Sequence, residues 1–270
     1  MLLSVRTAPL YILLLTLPYM AAAQTAQHDD HINNILTETS IQEQIEEITS
    51  EVKEEIKANP FNMPKQQMDR TLSRFEQAYN ADQLMKQVQQ TFNEEFEQSP
   101  AEATLQWLNE DKTQIILNEK NRFYSLQGKR ERIVRRYELE QDSLSSKRKN
   151  IIHNLIEAQS AKESELQSRT IIFRSILSAF NKISNRGLPD SSIDEIVQNF
   201  KKQIEPQMEQ EVFERLSIMY YTIDDQSLAN YRSFYQSKPG QWLSATTSKA
   251  IHQALQSAAD EFNQSLTDTE

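Results

Sequence analysis

The 270-residue chain contains no cysteine and only three glycines, Gly128, Gly187 and Gly240. Without cysteine there is no disulfide to staple the fold, no thiolate for a metal and no thiol nucleophile. A lipoprotein anchor is excluded as well, because no sulfur is present to acylate. Three glycines scattered singly cannot form the phosphate cradle of a dinucleotide-binding or P-loop motif. The G-x-S-x-G elbow of serine hydrolases is also missing. Positive charge is in deficit: 29 Lys and Arg stand against 39 Asp and Glu, a net charge of −10. Nucleic-acid binding demands a basic footprint and is not expected. The one long apolar run, Leu10–Leu17, is shorter than the roughly 20 residues a membrane-spanning helix needs.

That run instead follows Arg6 and precedes Ala21, Ala22 and Ala23. The order is that of a secretory signal peptide over residues 1–23, cleaved after Ala23. It predicts an exported protein, periplasmic or secreted. Just beyond lies HDDH (His28–His31), the one cluster of metal-ligand residue types, suited to zinc, copper or nickel. It sits in a segment without periodicity, expected as a disordered tail with adventitious metal affinity, so no metal and no cofactor are expected. His153 and His252 fall in helical segments with no partner signal.

Helical periodicity dominates the remainder of the chain. Ile41, Ile45, Ile48, Val52 and Ile56 recur every three or four residues, and ANPFNMP ends that stripe. Met68, Leu72, Phe75 and Tyr79 form a second stripe. Leu84, Val88, Phe92 and Phe96 form a third, with Asn80 as its cap. SPAE (Ser99–Glu102) reads as a capping box with proline at the first helical position. From Ala101 to Leu188 there is no proline, and breaks are expected near Gly128 and in DSLSS (Asp142–Ser146). Tyr137, Leu144, Ile151 and Ala158 lie seven apart, as in a coiled-coil seam. NRGLPDSS marks a boundary, and Pro206 interrupts or kinks the next stripe. TIDD (Thr222–Asp225) resembles a second capping box, and SKPG predicts a corner between two helices, with Pro239 blocking a straight helix and Gly240 lending backbone freedom.

The SPAE and TIDD segments resemble one another. An offset of 127 residues sets Trp107–Leu108 against Phe234–Tyr235, as in a decayed duplication, although the two boxes themselves align at 123. The organisation reads as a signal peptide (1–23), an N-terminal helical region (24–128), long central helices (129–186) and a C-terminal helical domain (187–270).

The segment TIDDQSLANYRSFYQSKPGQWL resembles the signature of a bacterial family of exported, all-helical proteins, domain of unknown function 2059. The signature is an acidic cap, a leucine, then Y-x-S-F-Y-x-S-x-x-G. Here Asp225, Leu228, Tyr231, Ser233, Phe234, Tyr235, Ser237 and Gly240 carry it over the last third of the chain. The family usually places proline directly after the second serine, whereas Lys238 intervenes here. The resemblance implies export and a helical fold, and no reaction.

Two groups are candidate binding sites. Arg135 and Arg136 lie in a basic stretch, GKRERIVRRYELE, where interleaved acids also permit a salt-bridge-laced helix. Tyr231, Phe234, Tyr235 and Trp242 either line an aromatic groove or fill a helix junction. No catalytic residues are assigned, because adjacent acids such as Glu46 and Glu47 point apart on a helix. The expected fold is all-α, an elongated bundle of amphipathic helices, with two lobes joined by long central helices as one arrangement that fits. The expected function is non-enzymatic binding of envelope proteins or the membrane surface. The alternative is a carrier of a small apolar ligand or lipid in an aromatic C-terminal pocket.

Overall fold

The computed structural model describes residues 17–58, 63–183 and 187–266. The apolar run of the proposed signal peptide lies almost wholly outside them, as does most of ANPFNMP. The described chain forms an all-α, elongated helical bundle with no strand among the described residues. Its helices are α1 (Leu17–Glu38), α2 (Ile41–Lys57), α3 (Lys65–Ala78), α4 (Ala81–Glu94), α5 (Gln98–Leu108) and α6 (Asp111–Tyr124). They continue with α7 (Leu126–Gln141), α8 (Ser146–Gln159), α9 (Ala161–Ile183), α10 (Asp190–Met219), α11 (Asp225–Tyr235) and α12 (Lys238–Ser265). No helix among the described residues is long and apolar enough to cross a membrane.

The stripes read from the sequence are the buried faces. Ile41, Ile45, Val52 and Ile56 of α2 are buried, as are Phe75 and Tyr79 and, on α4, Leu84, Val88 and Phe92. One contiguous core runs from Ile32 to Phe262 and draws on all three of the helical regions read from the sequence. Burial of such stripes stabilises by about 25 cal/mol per Å² of apolar surface, which is why modest apolar content suffices.

Several local readings are corrected. Asn80 caps α4 as expected, accepting from Asp82 N and Gln83 N, but the SPAE box does not form. α5 starts one residue before Ser99, and Glu102 takes a hydrogen bond from Gln98 Nε2 at 3.0 Å instead of reaching back to Ser99. Pro100 fits because first-turn amides need no intrahelical partner. In TIDD the cap is Asp224 and not Thr222; its carboxylate accepts from Gln226 N and Ser227 N. The chain breaks at Ser125, whose hydroxyl accepts from Gly128 N, so Gly128 lies inside α7. The heptad seam does not exist, since Tyr137 is exposed and the chain leaves helix between Gln141 and Ser146. HDDH is not a tail: it lies in α1, with the His28 ring stacked on Phe96 at 3.7 Å. α10 runs through Pro206 without interruption.

The SKPG corner forms, for a different reason than backbone freedom. Ser237 caps α12 by accepting from Gly240 N, with Pro239 in the first turn. Gly240 is needed for space: a Cβ there would sit 2.1 Å from Phe234 O and 2.5 Å from Tyr235 Cα.

The helices repeat. α5 and α11 are each 11 residues long, each followed after two residues by the next helix, and the 127-residue offset carries one pair of helices onto the other. Upstream, α1–α2 and α8–α9 are joined at Ser40 and Ser160, which share a left-handed backbone with φ 56 and 49. Counting back from those serines, buried Ile32, Ile35 and Leu36 fall on buried Ile152, Leu155 and Ile156. Pro64 and Pro189 stand immediately before α3 and α10. α10 fuses the counterparts of α3 and α4, with Pro206 close to where the first half breaks at Tyr79–Asn80.

Packing obeys the same rule. α1 packs on α5 and α8 on α11, while across the halves α5 packs on α12 and α6 on α11. Trp107 and Phe234, counterparts by the offset, stack face to face with centroids 3.5 Å apart and planes 2° from parallel. A position that meets its own counterpart marks an approximate two-fold axis. α12, at 28 residues, has twice the length of α6, and it also packs on α3, α4 and α9. α7 has no counterpart. It is the connector.

Candidate functional site

Beside that axis the halves do not close completely. A cavity of about 130 Å³ remains, close to the size of an engineered cavity that admits benzene. Its walls come in counterpart pairs: Thr39 with Gln159, Gln44 with Ser164, Ile48 with Ser168, Lys120 with Thr247 and Tyr124 with Ile251. A second cleft of about 280 Å³ adjoins it and shares Gln44, Ile48, Tyr124, Glu165 and Arg215. The pairs match in position but not in chemistry: Lys120 and Tyr124 in the first half face a threonine and an isoleucine in the second. The seam between the halves is therefore symmetric in position and asymmetric in chemistry.

The charged groups lie on the inner faces of their helices. Arg215 of α10 falls on the stripe of Met208, Val212 and Met219, and Lys120 of α6 lies one turn beyond Ile116 and Leu117. Arg215 donates to Glu165 Oε2 at 2.9 Å. Glu165 also takes Arg169 Nε at 2.9 Å, and Arg169 reaches Glu211 at 2.7 Å. Burial alone would raise the Glu165 carboxyl, but Arg215 and Arg169 outweigh it and hold it below the ordinary range. Burial pushes the Tyr124 hydroxyl up, so it stays a neutral donor.

Lys120 is different. Its ammonium donates to Thr39 O at 2.7 Å, and no carboxylate pairs with it among the described residues. Burial pulls it down to about 8, with Glu43 only partly opposing. An ammonium has three donors and no acceptor capacity. Two of the three have no partner among the described residues, and they lie beside a polar cavity.

Acyl transfer is disfavoured by the same geometry. Ser164 Oγ lies 3.4 Å from His252 Nε2, a nucleophile–base spacing at first sight. That nitrogen, however, sits 3.0 Å from the Ser164 carbonyl, to which it must donate. A ring nitrogen carrying its proton toward a carbonyl cannot accept the hydroxyl proton.

The residues singled out from the sequence fall elsewhere. Arg135 is buried and donates to the carbonyls of Ile218 and Met219 and to Glu119 at 3.0 Å, closing the C-terminal end of α10. Arg148 does the same on the other side, donating to Tyr220 O, Ile223 O and Asp225. Arg136 is exposed and pairs with Glu214 at 2.7 Å. The aromatics fill the helix junction: Tyr231 and Tyr235 are buried with hydroxyls 3.4 Å apart, and Phe234 lies on Trp107. Trp242 Nε1 donates to Glu95 O at 2.9 Å. Of the four, only Tyr235 borders the axial cavity.

Lys120, Tyr124, Glu165 and Arg215 escape a sequence reading made for motifs. The signal that could have found them is a charge on an apolar stripe, as at Lys120 and Arg215. A separate apolar cavity of about 420 Å³ lies at the end of the bundle, lined by residues that include Ile56, Met63, Phe173, Ile176, Phe180 and Phe262. Compared with family models, with curated proteins and with solved structures, the chain matches none.

Proposed function

We propose that this chain is an exported, non-enzymatic binding protein of the cell envelope whose axial cavity holds a small anion, of which a short-chain carboxylate is the best-fitting class. The carrying observation is the Lys120 ammonium, partly buried and lining the cavity, with one hydrogen-bond partner among the described residues for its three donors. Burying an ammonium without full hydrogen bonding is costly, and an anion offsets that cost by accepting its spare N–H groups. Arg215 adds a second cation to the wall, against Glu165 as the one carboxylate there. Gln44, Ser164 and Thr247 supply neutral donors around it. About 130 Å³ admits a ligand of a few heavy atoms. Binding sites concentrate where two units meet. Export is read from residues 1–23, and the resemblance of residues 222–243 to an exported helical family is carried by that motif alone.

The test is a titration of the purified chain with acetate and with inorganic phosphate, followed by calorimetry and by amide shifts in residues around the cavity. Acetate is expected to bind, and Lys120→Met to lose the binding while keeping the helical spectrum. Acetate shifts that are absent, or that persist unchanged in Lys120→Met, overturn the reading.

A second reading, carriage of an apolar ligand, is favoured by the 420 Å³ cavity lined by Phe173, Phe180 and Phe262. Native mass spectrometry of protein purified from cells separates the two: co-purifying lipid supports the carrier.

A further inference from the structure

The connector α7 is the one helix outside the repeated pattern, and it wears its apolar residues on the outside. It packs on α6 and α10, with Gly128 and Arg135 on its inner face. On the opposite face Leu126, Ile133, Val134 and Tyr137 are 74%, 73%, 56% and 62% exposed. Leu126, Ile133 and Tyr137 are spaced by seven and four, which puts them on one line along the helix. Lys129 and Arg130 flank that line, both exposed, and neither pairs with a carboxylate among the described residues. This is a departure from the rest of the stretch, where Arg122, Arg132, Arg135 and Arg136 all have ion pairs. In a chain of net charge −10, these two cations sit beside Leu126, Ile133 and Tyr137, the most exposed large apolar side chains among the described residues.

The geometry points to α7 as an interfacial helix that docks the protein on an anionic lipid surface. Such helices lie flat, sink their apolar face about 5–10 Å into the headgroup boundary, and keep Lys and Arg at the phosphates. Tyr137 suits that depth, with an apolar ring and a polar tip. Charge complementarity selects lipid: an acidic molecule is repelled by an anionic surface except where it presents cations, and α7 presents them around its apolar line. Docking through α7 is independent of the ligand in the axial cavity.

The full chain is tested by co-sedimentation with phosphatidylcholine vesicles, with and without phosphatidylglycerol. Binding is expected only with phosphatidylglycerol, and added salt weakens it. Removing the two cations in K129Q/R130Q lowers partitioning by about thirtyfold, from roughly tenfold or less per cation near a charged surface. I133S/Y137S lowers it by a similar order while the unfolding curve stays that of the parent, since both positions are exposed. Failure of the parent chain to bind phosphatidylglycerol vesicles overturns the proposal, as does equal binding by K129Q/R130Q. Capture of an acidic protein on α7 without vesicle binding overturns it too.

Discussion

Trp107 lies flat on Phe234 with ring centroids 3.5 Å apart, and the two are counterparts in the two halves of the chain. The pair closes the seam between α5 and α11, with Tyr231 and Tyr235 packed around it. Trp107→Ala and Phe234→Ala are each expected to cost about 2–4 kcal/mol, somewhat below full-burial values because both rings are only half-buried. In a double-mutant cycle by denaturant unfolding, the coupling should be about 1 kcal/mol. Strict additivity would mean the stack contributes nothing beyond burial.

Arg148 and Arg135 close the C-terminal end of α10, where helix carbonyls have no intrahelical partner. Removing Arg148 takes the guanidinium from Ile223 O and from the Asp225 carboxylate, and leaves Tyr220 O with the Ile223 amide alone. Arg148→Met should therefore cost about 3 kcal/mol, and Arg148→Lys should recover only part of it, because an ammonium cannot reproduce the planar fork. Arg136→Ala, which breaks the exposed pair with Glu214, should cost less than about 1 kcal/mol. Equal losses at Arg136 and Arg148 would contradict the assignment of buried and exposed roles.

Stability should rise with pH on the alkaline side of neutral. Lys120 titrates at about 8 in the fold against an ordinary value of 10.5. Between those values the unfolded chain binds more protons than the folded one, so raising pH favours the fold. The penalty is fully present below pH 8 and relieved by about 10.5, with an upper bound of about 3 kcal/mol. Above pH 10 the sign reverses, because burial pushes tyrosines such as Tyr79 up to about 12 and unfolding releases them to ionise. Lys120→Met should flatten the rise and leave the later fall. Anion binding in the axial cavity should weaken over the window in which stability rises, as the ammonium loses its charge.

The three glycines should respond differently to alanine. At Gly240 and Gly128 the new Cβ meets backbone oxygens at 2.1 and 1.9 Å, contacts that no rotamer relieves. Each should cost more than about 3 kcal/mol, in the range reserved for backbone displacement. Gly187 has open space but φ +65, so Gly187→Ala should cost only about 1 kcal/mol. Thermal unfolding of the three variants checks the order.

How much of the molecule is legible from residues alone depends on how local each cause is. Apolar spacing along α2, α4 and α12 depends on nothing beyond the helix itself, so Ile41–Ile56, Leu84–Phe92 and Ile251–Phe262 can be read directly. Cap positions are legible where one side chain decides, as at Asn80. They mislead where two registers compete, as at Ser99 against Glu97 and Thr222 against Asp224. The repeat is visible through Trp107 and Phe234, yet residue identity does not say that the two rings touch. Glu165 reads as an ordinary polar position; Lys120 and Arg215 are legible as charges on apolar stripes, but only the packing of α6, α9 and α10 brings the three to one cavity. Arg135 and Arg148 read as a basic surface for the converse reason: their partners are backbone carbonyls, which leave no trace in residue identity.

The last helix, α12, lies against α3, α4 and α5, so material from the far end of the chain completes the hydrophobic interior of the near end. A polypeptide emerging from the ribosome therefore carries Phe92 without the cover of Trp242 until α12 has been made. Such an arrangement ties commitment to the native state to the arrival of the last helix, however early the first helices form.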